Sequence, residues 1–268
     1  MSATKQQKQN YRNFISRMAG KLANSKKPKW FIRSFIKMWK RKYKIDLSEY
    51  VVPTEGFNTF NSFFTRKLKP NPRPIKEGLV SPVDGFIFDF GKITGDNKIY
   101  VKFNHYYIDD LICDEYEDMS SYTVLYLSPA NYHRVHASFD MKITDISYLP
   151  GTLRPVKPKV VYKKDRVYCR NERIVIHGKS EFGNFYMILV GALFVGKTKL
   201  SFDSGLETNI KNGEASKRIY DEIITLKKGD EIGYFEMGSS VILFLKNERL
   251  ANIKLPMNSP IKVGDELA

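Results

Sequence analysis

Two stretches near the N-terminus carry apolar side chains at the spacing of a helix face. In the first, apolar or aromatic residues occupy positions 11, 14, 15, 18 and 22, which follows the i, i+3, i+4, i+7 pattern. The second follows Pro28 and has such residues at positions 31, 32, 35, 36, 39 and 43. The spacing predicts two amphipathic helices separated by a break at residues 25–28.

The pattern changes after residue 50. Residues 51–78 are predicted to be a connector, because prolines at positions 70, 72 and 74 exclude regular structure there. From residue 79 onward, short apolar runs such as 86–88, 123–127, 173–177 and 186–190 alternate with turn signals. This spacing is typical of a sandwich or barrel. We therefore predict an α+β fold, in which a β-rich, sandwich- or barrel-like domain at 79–268 follows helices in residues 1–50.

The positive charge of the chain is concentrated at its N-terminal end. The formal net charge is +15, and residues 1–50 supply +12 of it, because 14 lysines and arginines stand against only Asp46 and Glu49. Such a charge implies an anionic partner, either a membrane surface or nucleic acid. Periodicity alone fits helices packed on the domain as well as helices lying in a membrane interface. The concentrated charge favours the membrane.

Several classes of protein are made less probable by the composition. No run of about 18 apolar residues and no signal-peptide pattern occurs, so we expect neither a membrane span nor secretion. Only Cys113 and Cys169 are present, which indicates no disulfide framework and a reducing compartment. The four histidines form no recognisable ligand set, so no metal is expected. No nucleic-acid recognition motif is visible.

Three residues in loops at strand ends form a candidate catalytic set. Ser239 lies in a small Gly-Ser-Ser segment between apolar runs, Asp84 follows the turn at 81–83, and His136 follows the strand at 123–127. Each residue alone fits an ordinary turn or core position better than a functional one. Together they are the components of an activated serine. No Gly-x-Ser-x-Gly elbow surrounds Ser239, which disfavours an α/β-hydrolase.

Several short motifs then occur in a fixed order. They are RMAG at 17–20, YKID at 43–46, FFTRKL at 63–68 with RP at 73–74, SPVDG at 81–85, YHRVH at 132–136, YLPG at 148–151, NER at 171–173, VGA at 190–192 and GSS at 238–240. This ordered set, over nearly the whole chain, resembles the phosphatidylserine decarboxylase proenzymes of the pyruvoyl-dependent family. The cleavage motif of that family is usually Leu-Gly-Ser-Thr. Here Met237 replaces the leucine and Ser240 replaces the threonine, and the Gly238–Ser239 bond is kept.

The resemblance implies a self-processing decarboxylase. With His136 as general base and Asp84 orienting it, Ser239 would attack the carbonyl of Gly238. The ester formed would undergo β-elimination, and residue 239 would become a covalent pyruvoyl cofactor. That ketone would form a Schiff base with phosphatidylserine, which loses CO2 and yields phosphatidylethanolamine. His133 would be the proton donor or the partner of the substrate carboxylate, and the two histidine roles could be exchanged.

The resemblance also implies partners. The products of cleavage, residues 1–238 and 239–268, would stay together, and a homodimer is expected. The basic amphipathic helices of residues 1–50 would dock the catalytic domain on phosphatidylserine-containing, anionic membrane. The expected location is therefore peripheral, on the cytoplasmic face of a bacterial cell membrane, with no nucleic-acid partner.

Three other functions fit part of the sequence. A noncatalytic peripheral membrane protein would use the basic helices and would not cleave its chain. A serine hydrolase would use the same three residues on an external substrate and would stay intact. A nucleic-acid binder would rest on charge alone and would release its ligand in salt.

Overall fold

The computed structural model describes residues 3–26, 28–101, 104–114, 118–194 and 196–268, with side chains from residue 11 onward. Residues 1, 2 and 27 of the predicted N-terminal region, and residues 102, 103, 115–117 and 195 of the predicted β-rich region, lie outside the described residues. The described chain is a mixed α+β structure made mostly of strands, which confirms the predicted class.

The helices lie mainly before the sheet. They are α1 (Ala3–Ala23), α2 (Lys29–Tyr43), α3 (Phe60–Phe64), α4 (Ile108–Ile112), α5 (Pro158–Val161) and α6 (Val167–Arg170), with a 3-10 helix at Arg249–Asn252. Helices α1 and α2 are the two that apolar spacing predicts. Helix α3 lies in the predicted connector and begins at Thr59, whose side chain accepts a hydrogen bond from the amide of Ser62.

The strands form one large sheet and two small ones. They are β1 (Gly85–Lys92), β2 (Lys98–Val101), β3 (Asn104–Tyr107), β4 (Ser121–Leu127), β5 (Arg134–His136), β6 (Met141–Leu149), β7 (Arg173–Ser180), β8 (Gly183–Gly191), β9 (Thr198–Leu200), β10 (Ser216–Leu226), β11 (Glu231–Phe235), β12 (Ser239–Leu245) and β13 (Pro260–Ile261). The eight-stranded sheet has the order β10-β6-β7-β8-β12-β4-β1-β13, and its neighbours are antiparallel. The smaller sheets are β5-β11-β9 and β2-β3.

Strand β12 lies inside the large sheet, with β4 on one side and β8 on the other. All seven of its residues are buried. Because side chains alternate between the faces of a strand, Val241, Leu243 and Leu245 enter one apolar cluster, which also contains residues of β5, β9 and β11. Ile242 and Phe244 enter a second cluster on the opposite face. The uninterrupted apolar run of this strand follows from burial on both faces.

Helix α1 is attached to the sheet domain through its small residues. The Asn13 amide donates to the Gly151 carbonyl at 2.8 Å, and the Phe194 N–H donates to Ser16 Oγ at 3.1 Å. A Cβ added to Gly20 would lie only 3.0 Å from the Cα of Gly196. The helix therefore buries a face of small and polar residues.

The apolar face of α1 points away from this contact. Tyr11, Phe14, Met18 and Leu22 are 66%, 55%, 41% and 72% exposed. Exposed aromatic residues continue on α2 with Trp30 and Phe31. Among the helices that the structure describes, none is both long and apolar enough to cross a bilayer.

We predict that Gly20→Leu separates α1 from the sheet domain. The added side chain would overlap the Gly196 backbone, and overpacking of this kind destabilises by about 1–3 kcal/mol. Thermal denaturation should show a lower Tm than that of the parent protein. Met18→Leu, on the exposed face of the same helix, should leave the Tm unchanged. An unchanged or higher Tm for Gly20→Leu would show that the contact does not attach the helix.

Candidate active site

Ser239 is the first residue of β12 and is completely buried. It is paired with Leu127 of β4 and with Gly191 of β8. Its Oγ atom has no hydrogen-bond partner among the described residues. A buried hydroxyl without a partner costs free energy, and such groups in native proteins often have a functional reason. The sheet thus fixes the backbone of this serine and leaves its hydroxyl unengaged.

The residues before Ser239 are anchored and Gly238 is not. The Glu236 N–H donates to the Lys197 carbonyl at 2.9 Å, and Met237 packs against the aromatic cluster of Phe60 and its neighbours. A Cβ built on Gly238 would have no atom within 4 Å. Gly238 is therefore uncrowded on the side where another residue would carry its Cβ.

The Glu236 carboxyl belongs to the anchor of this segment. It is buried, and burial raises its pKa, while hydrogen bonds to the amides of Asn61 and Asn24 act in the opposite direction. The Asn61 amide in turn donates to Asn24 Oδ1 at 3.0 Å. Asn24 directly follows α1, so contacts of the N-terminal helices reach the segment before Ser239.

Asp84 is buried in a network that holds both of its oxygens. Arg73 donates Nη1–H to Oδ1 at 2.6 Å and Nη2–H to Oδ2 at 3.1 Å, and the Val263 N–H donates to Oδ1 at 2.9 Å. Arg73 also contacts Glu49 at 2.7 Å. Burial opposes the charge of Arg73, but hydrogen bonds to Asp84 and Glu49 raise its pKa overall. The carboxylate of Asp84 is therefore fixed by a bidentate arginine.

Both ring nitrogens of His136 have partners. Nδ1 lies 2.8 Å from the Gly229 carbonyl and Nε2 lies 2.9 Å from the Tyr132 hydroxyl. A carbonyl only accepts, so Nδ1 carries the proton and Nε2 accepts from Tyr132. Burial lowers the pKa of His136. The hydrogen bond to Gly229 and the negative charges of Glu231 and Asp84 act to raise it, but the pKa stays below its ordinary value. The ring is therefore neutral with a basic Nε2.

His133 is fully buried, and its Nε2 atom has no partner among the described residues. Its Nδ1 lies 2.9 Å from the Asn131 carbonyl, which assigns the proton to Nδ1. The ring packs against Phe64, with centroids 4.1 Å apart and ring planes tilted by 40°. Burial lowers its pKa to about 3. His133 is thus a neutral imidazole with a free lone pair.

The small sheet places the backbone of His133 beside the strand that leads to the serine segment. The Phe235 N–H donates to the His133 carbonyl at 2.9 Å, so the strand leading to Gly238 lies beside the His133 backbone. Within the described ranges, no hydrogen bond joins Asp84, His136 and Ser239 to one another. Asp84 and His136 interact through charge, and each has other hydrogen-bond partners.

Sequence reasoning gave no role to several residues of this arrangement. Arg73 and Tyr132 both occur inside motifs quoted above. Arg73 contacts Asp84 and Tyr132 contacts His136, and the spacing of these residues along the sequence does not predict either contact. Gly229 contacts His136 only through its backbone carbonyl. Every residue has such a group, so the residue type at position 229 could not indicate this contact. The arginine-proline pair at 73–74 was the available signal for the first of these residues.

A comparison with protein families identifies one match. A family model described as phosphatidylserine decarboxylase matches residues 60–268. The matched segment contains the sheet domain, Asp84, both histidines and Ser239. It covers more than half of the chain.

Curated relatives match over almost the full length. A phosphatidylserine decarboxylase proenzyme from Legionella pneumophila (strain Corby) is 34% identical, over 93% of this chain and 93% of its own. One from Brevibacillus brevis is 36% identical, over 89% and 86%, and one from Helicobacter pylori is 33% identical, over 95% and 96%. The chain therefore belongs to the phosphatidylserine decarboxylase family.

Proposed function

We propose that this chain cleaves itself between Gly238 and Ser239 and converts phosphatidylserine to phosphatidylethanolamine and CO2. Enzymes of this family are pyruvoyl-dependent decarboxylases made as proenzymes. The observation that carries the proposal is the buried Ser239 hydroxyl, which has no partner among the described residues and directly follows a glycine with open space at its Cβ position. That arrangement fits a serine whose target is the preceding peptide bond.

The sheet explains how the two products would stay together. After cleavage, residues 239–245 would still pair with β4 and β8 along the full length of β12. The later segment adds β13, which pairs with β1. The new N-terminus at 239 would therefore remain fixed in the sheet. The pyruvoyl ketone formed there supplies an electron-withdrawing carbonyl for decarboxylation, the role that pyridoxal phosphate plays in other enzymes.

For self-cleavage, the proposed base is His136. The Gly229 carbonyl holds Nδ1–H, and the charge of Asp84 favours the ring once it is protonated. Tyr132 must first release Nε2, because that nitrogen now accepts the phenol hydrogen bond. His133 is the proposed second proton carrier, since its Nε2 lone pair is already free. It would take up and return a proton beside residue 239 during decarboxylation.

The proposed location is the cytoplasmic face of an anionic bacterial membrane, where the substrate lipid lies. On α2, the exposed apolar Met38 lines a cleft together with Lys37, Arg41 and Lys42. An interfacial helix needs both features. Between α1 and α2 an apolar cavity of about 470 Å³ also contains Met237, two residues before Ser239. It gives lipid tails a path toward the site. The homodimer stays a prediction.

We predict that the wild-type protein appears as two fragments on a denaturing gel. Ser239→Ala, which lacks the nucleophile, should stay at the full-length mass of 31.1 kDa. His136→Ala should cleave much more slowly, Asp84→Asn should lose a factor of order 10⁴ by analogy with the aspartate of serine proteases, and His133→Ala should cleave more completely than His136→Ala. A fully intact wild-type chain would contradict the proposal, and the reverse order of the two histidine variants would exchange their roles.

We predict that His133 makes folding stability depend on pH. Its folded pKa of about 3 lies below the ordinary value of 6.5, so the unfolded state binds one more proton between these values. The contribution of His133 to the free energy of unfolding is complete above pH 6.5. It is lost as the pH falls below that value, at up to about 1.4 kcal/mol per pH unit. Denaturant unfolding of the uncleaved Ser239→Ala protein should measure this slope.

Adding His133→Gln to that protein should reduce the slope of the free energy of unfolding against pH between about pH 6 and pH 4. The reduction should correspond to about one bound proton. His105→Gln, at an exposed histidine, is the matched control and should leave the slope unchanged. Equal slopes for the parent and His133→Gln would mean that His133 is not held neutral.

We predict that replacing Lys37, Arg41 and Lys42 with glutamine weakens binding to vesicles containing phosphatidylglycerol. Each basic residue near an anionic surface contributes roughly 1 kcal/mol, so the affinity should fall roughly 10²-fold. Vesicle sedimentation measures the effect. The matched control replaces the exposed Lys159, Lys163 and Lys164, which removes the same charge elsewhere. Equal losses in both variants would indicate attraction by net charge alone and no docking face.

A further inference from the structure

Glu172 is a buried carboxyl group with only one of its oxygens engaged. Its side chain is 4% exposed. Oε1 accepts hydrogen bonds from the Tyr148 hydroxyl and from the Asn209 N–H, both at 2.6 Å. Oε2 is buried and has no hydrogen-bond partner among the described residues. An unengaged buried carboxyl oxygen is costly unless a ligand uses it.

Strand pairing relates this oxygen to residue 239 through Gly191. The Gly191 N–H donates to the Glu172 carbonyl at 2.9 Å, and Gly191 is the cross-strand partner of Ser239. Paired residues direct their side chains to the same face of a sheet. A Cβ on Gly191 would lie 3.9 Å from Glu172 Oε2. The same Cβ would lie 3.1 Å from Leu153 Cδ2 and 3.3 Å from the Glu172 carbonyl oxygen, so the glycine at 191 is what lets Glu172 pack this close to the strand pair.

Glu172 also lines a cavity of about 450 Å³ beneath α1. The charged and titratable groups that face it are Arg17 of α1, Tyr148 of β6 and Lys211 of the loop before β10. Arg17 is half-buried, and its positive charge favours the ionised form of the Glu172 carboxyl. The two side chains form no ion pair among the described residues. The cavity therefore offers a hydrogen-bond acceptor at one place and cationic groups at another.

We propose that Glu172 Oε2 is a catalytic base that binds the ammonium group of the phosphoserine head group and takes its proton, while Arg17 faces the anionic part. The assignment rests on the proposed function. An N–H bond of the ammonium breaks, its electron pair stays on nitrogen, and the proton forms an O–H bond on Oε2. The proton returns to the amine of the released product, so the carboxylate is regenerated.

The chemistry requires such a base. A primary amine is mostly protonated at neutral pH and attacks a ketone only as the free amine. An ordinary glutamate is too weak a base to hold that proton. Burial raises the pKa of Glu172. The hydrogen bonds from Tyr148 and Asn209 and the charge of Arg17 act to lower it, but the pKa stays above its ordinary value. Its proton affinity is thereby closer to that of an amine.

The first test measures binding without any reaction. Glycerophosphoserine is titrated by calorimetry into the uncleaved Ser239→Ala protein. Glu172→Gln, which keeps an acceptor for Tyr148 and Asn209, should weaken binding at least tenfold. Arg17→Gln should also weaken it, and it tests the cavity independently if Glu172→Gln lowers the Tm. The control, Glu207→Gln, removes an exposed carboxylate and should bind as the parent does. Unchanged binding in both cavity variants would overturn the assignment.

The second test uses the protein with Ser239 intact. Glu172→Gln should cleave to completion, and its kcat/KM for release of CO2 should fall at neutral pH and recover in part at alkaline pH, where the substrate amine is free. A parent-like pH profile in Glu172→Gln would overturn only the role of Glu172, provided that the wild type cleaves and decarboxylates. A wild type that does neither would overturn the proposed function as well.

Discussion

The pairing of β12 with β4 and β8 is the constraint on which the rest of the structure depends. It places Ser239 at the start of a strand buried on both faces, with its backbone fixed on both sides. Its hydroxyl is fully buried and has no hydrogen-bond partner among the residues that the structure describes. The preceding residue is a glycine with open space at its Cβ position, and its carbonyl is the one that the serine would attack in the proposed self-cleavage.

The surrounding networks hold this arrangement from several directions. Arg73 fixes Asp84, the Gly229 carbonyl fixes the tautomer of His136, and Phe64 packs on His133. The N-terminal helices take part as well, because Asn24 and Asn61 interact with the Glu236 carboxyl. Asn24, directly after α1, therefore connects that helix to the segment before Ser239, and the apolar residues Tyr11, Phe14 and Leu22 of α1 stay exposed.

Much of this could be predicted from the sequence, because some signals are local. Apolar spacing gave α1 and α2, and the ordered motifs gave the family and the candidate residues Asp84, His133, His136 and Ser239. The face by which α1 packs could not be predicted in this way. Its contact is made by Ser16 and Gly20, whose small side chains carry no hydrophobic signal. The apolar spacing predicted the helix correctly, and periodicity alone left open whether its apolar face packs on the domain; in the structure that face is exposed.

The partners of the site residues were also beyond sequence reasoning, for a physical reason. Asp84 bonds the amide of Val263, which is 179 positions away, and His136 bonds a carbonyl 93 positions away. Such contacts depend on strand order and register, which short motifs do not specify. The proposed role of Glu172 could not be predicted from the sequence for the same reason, because it depends on the pairing of Gly191 with Ser239.

The most direct test of the account is mass spectrometry of the small fragment of the wild-type protein. The account predicts a fragment covering residues 239–268 that lacks a free N-terminal amine, reacts with a carbonyl reagent, and is lighter by one ammonia than the same peptide with an ordinary N-terminal serine. A fragment that begins with an unmodified serine, or a cut at another bond, would contradict it.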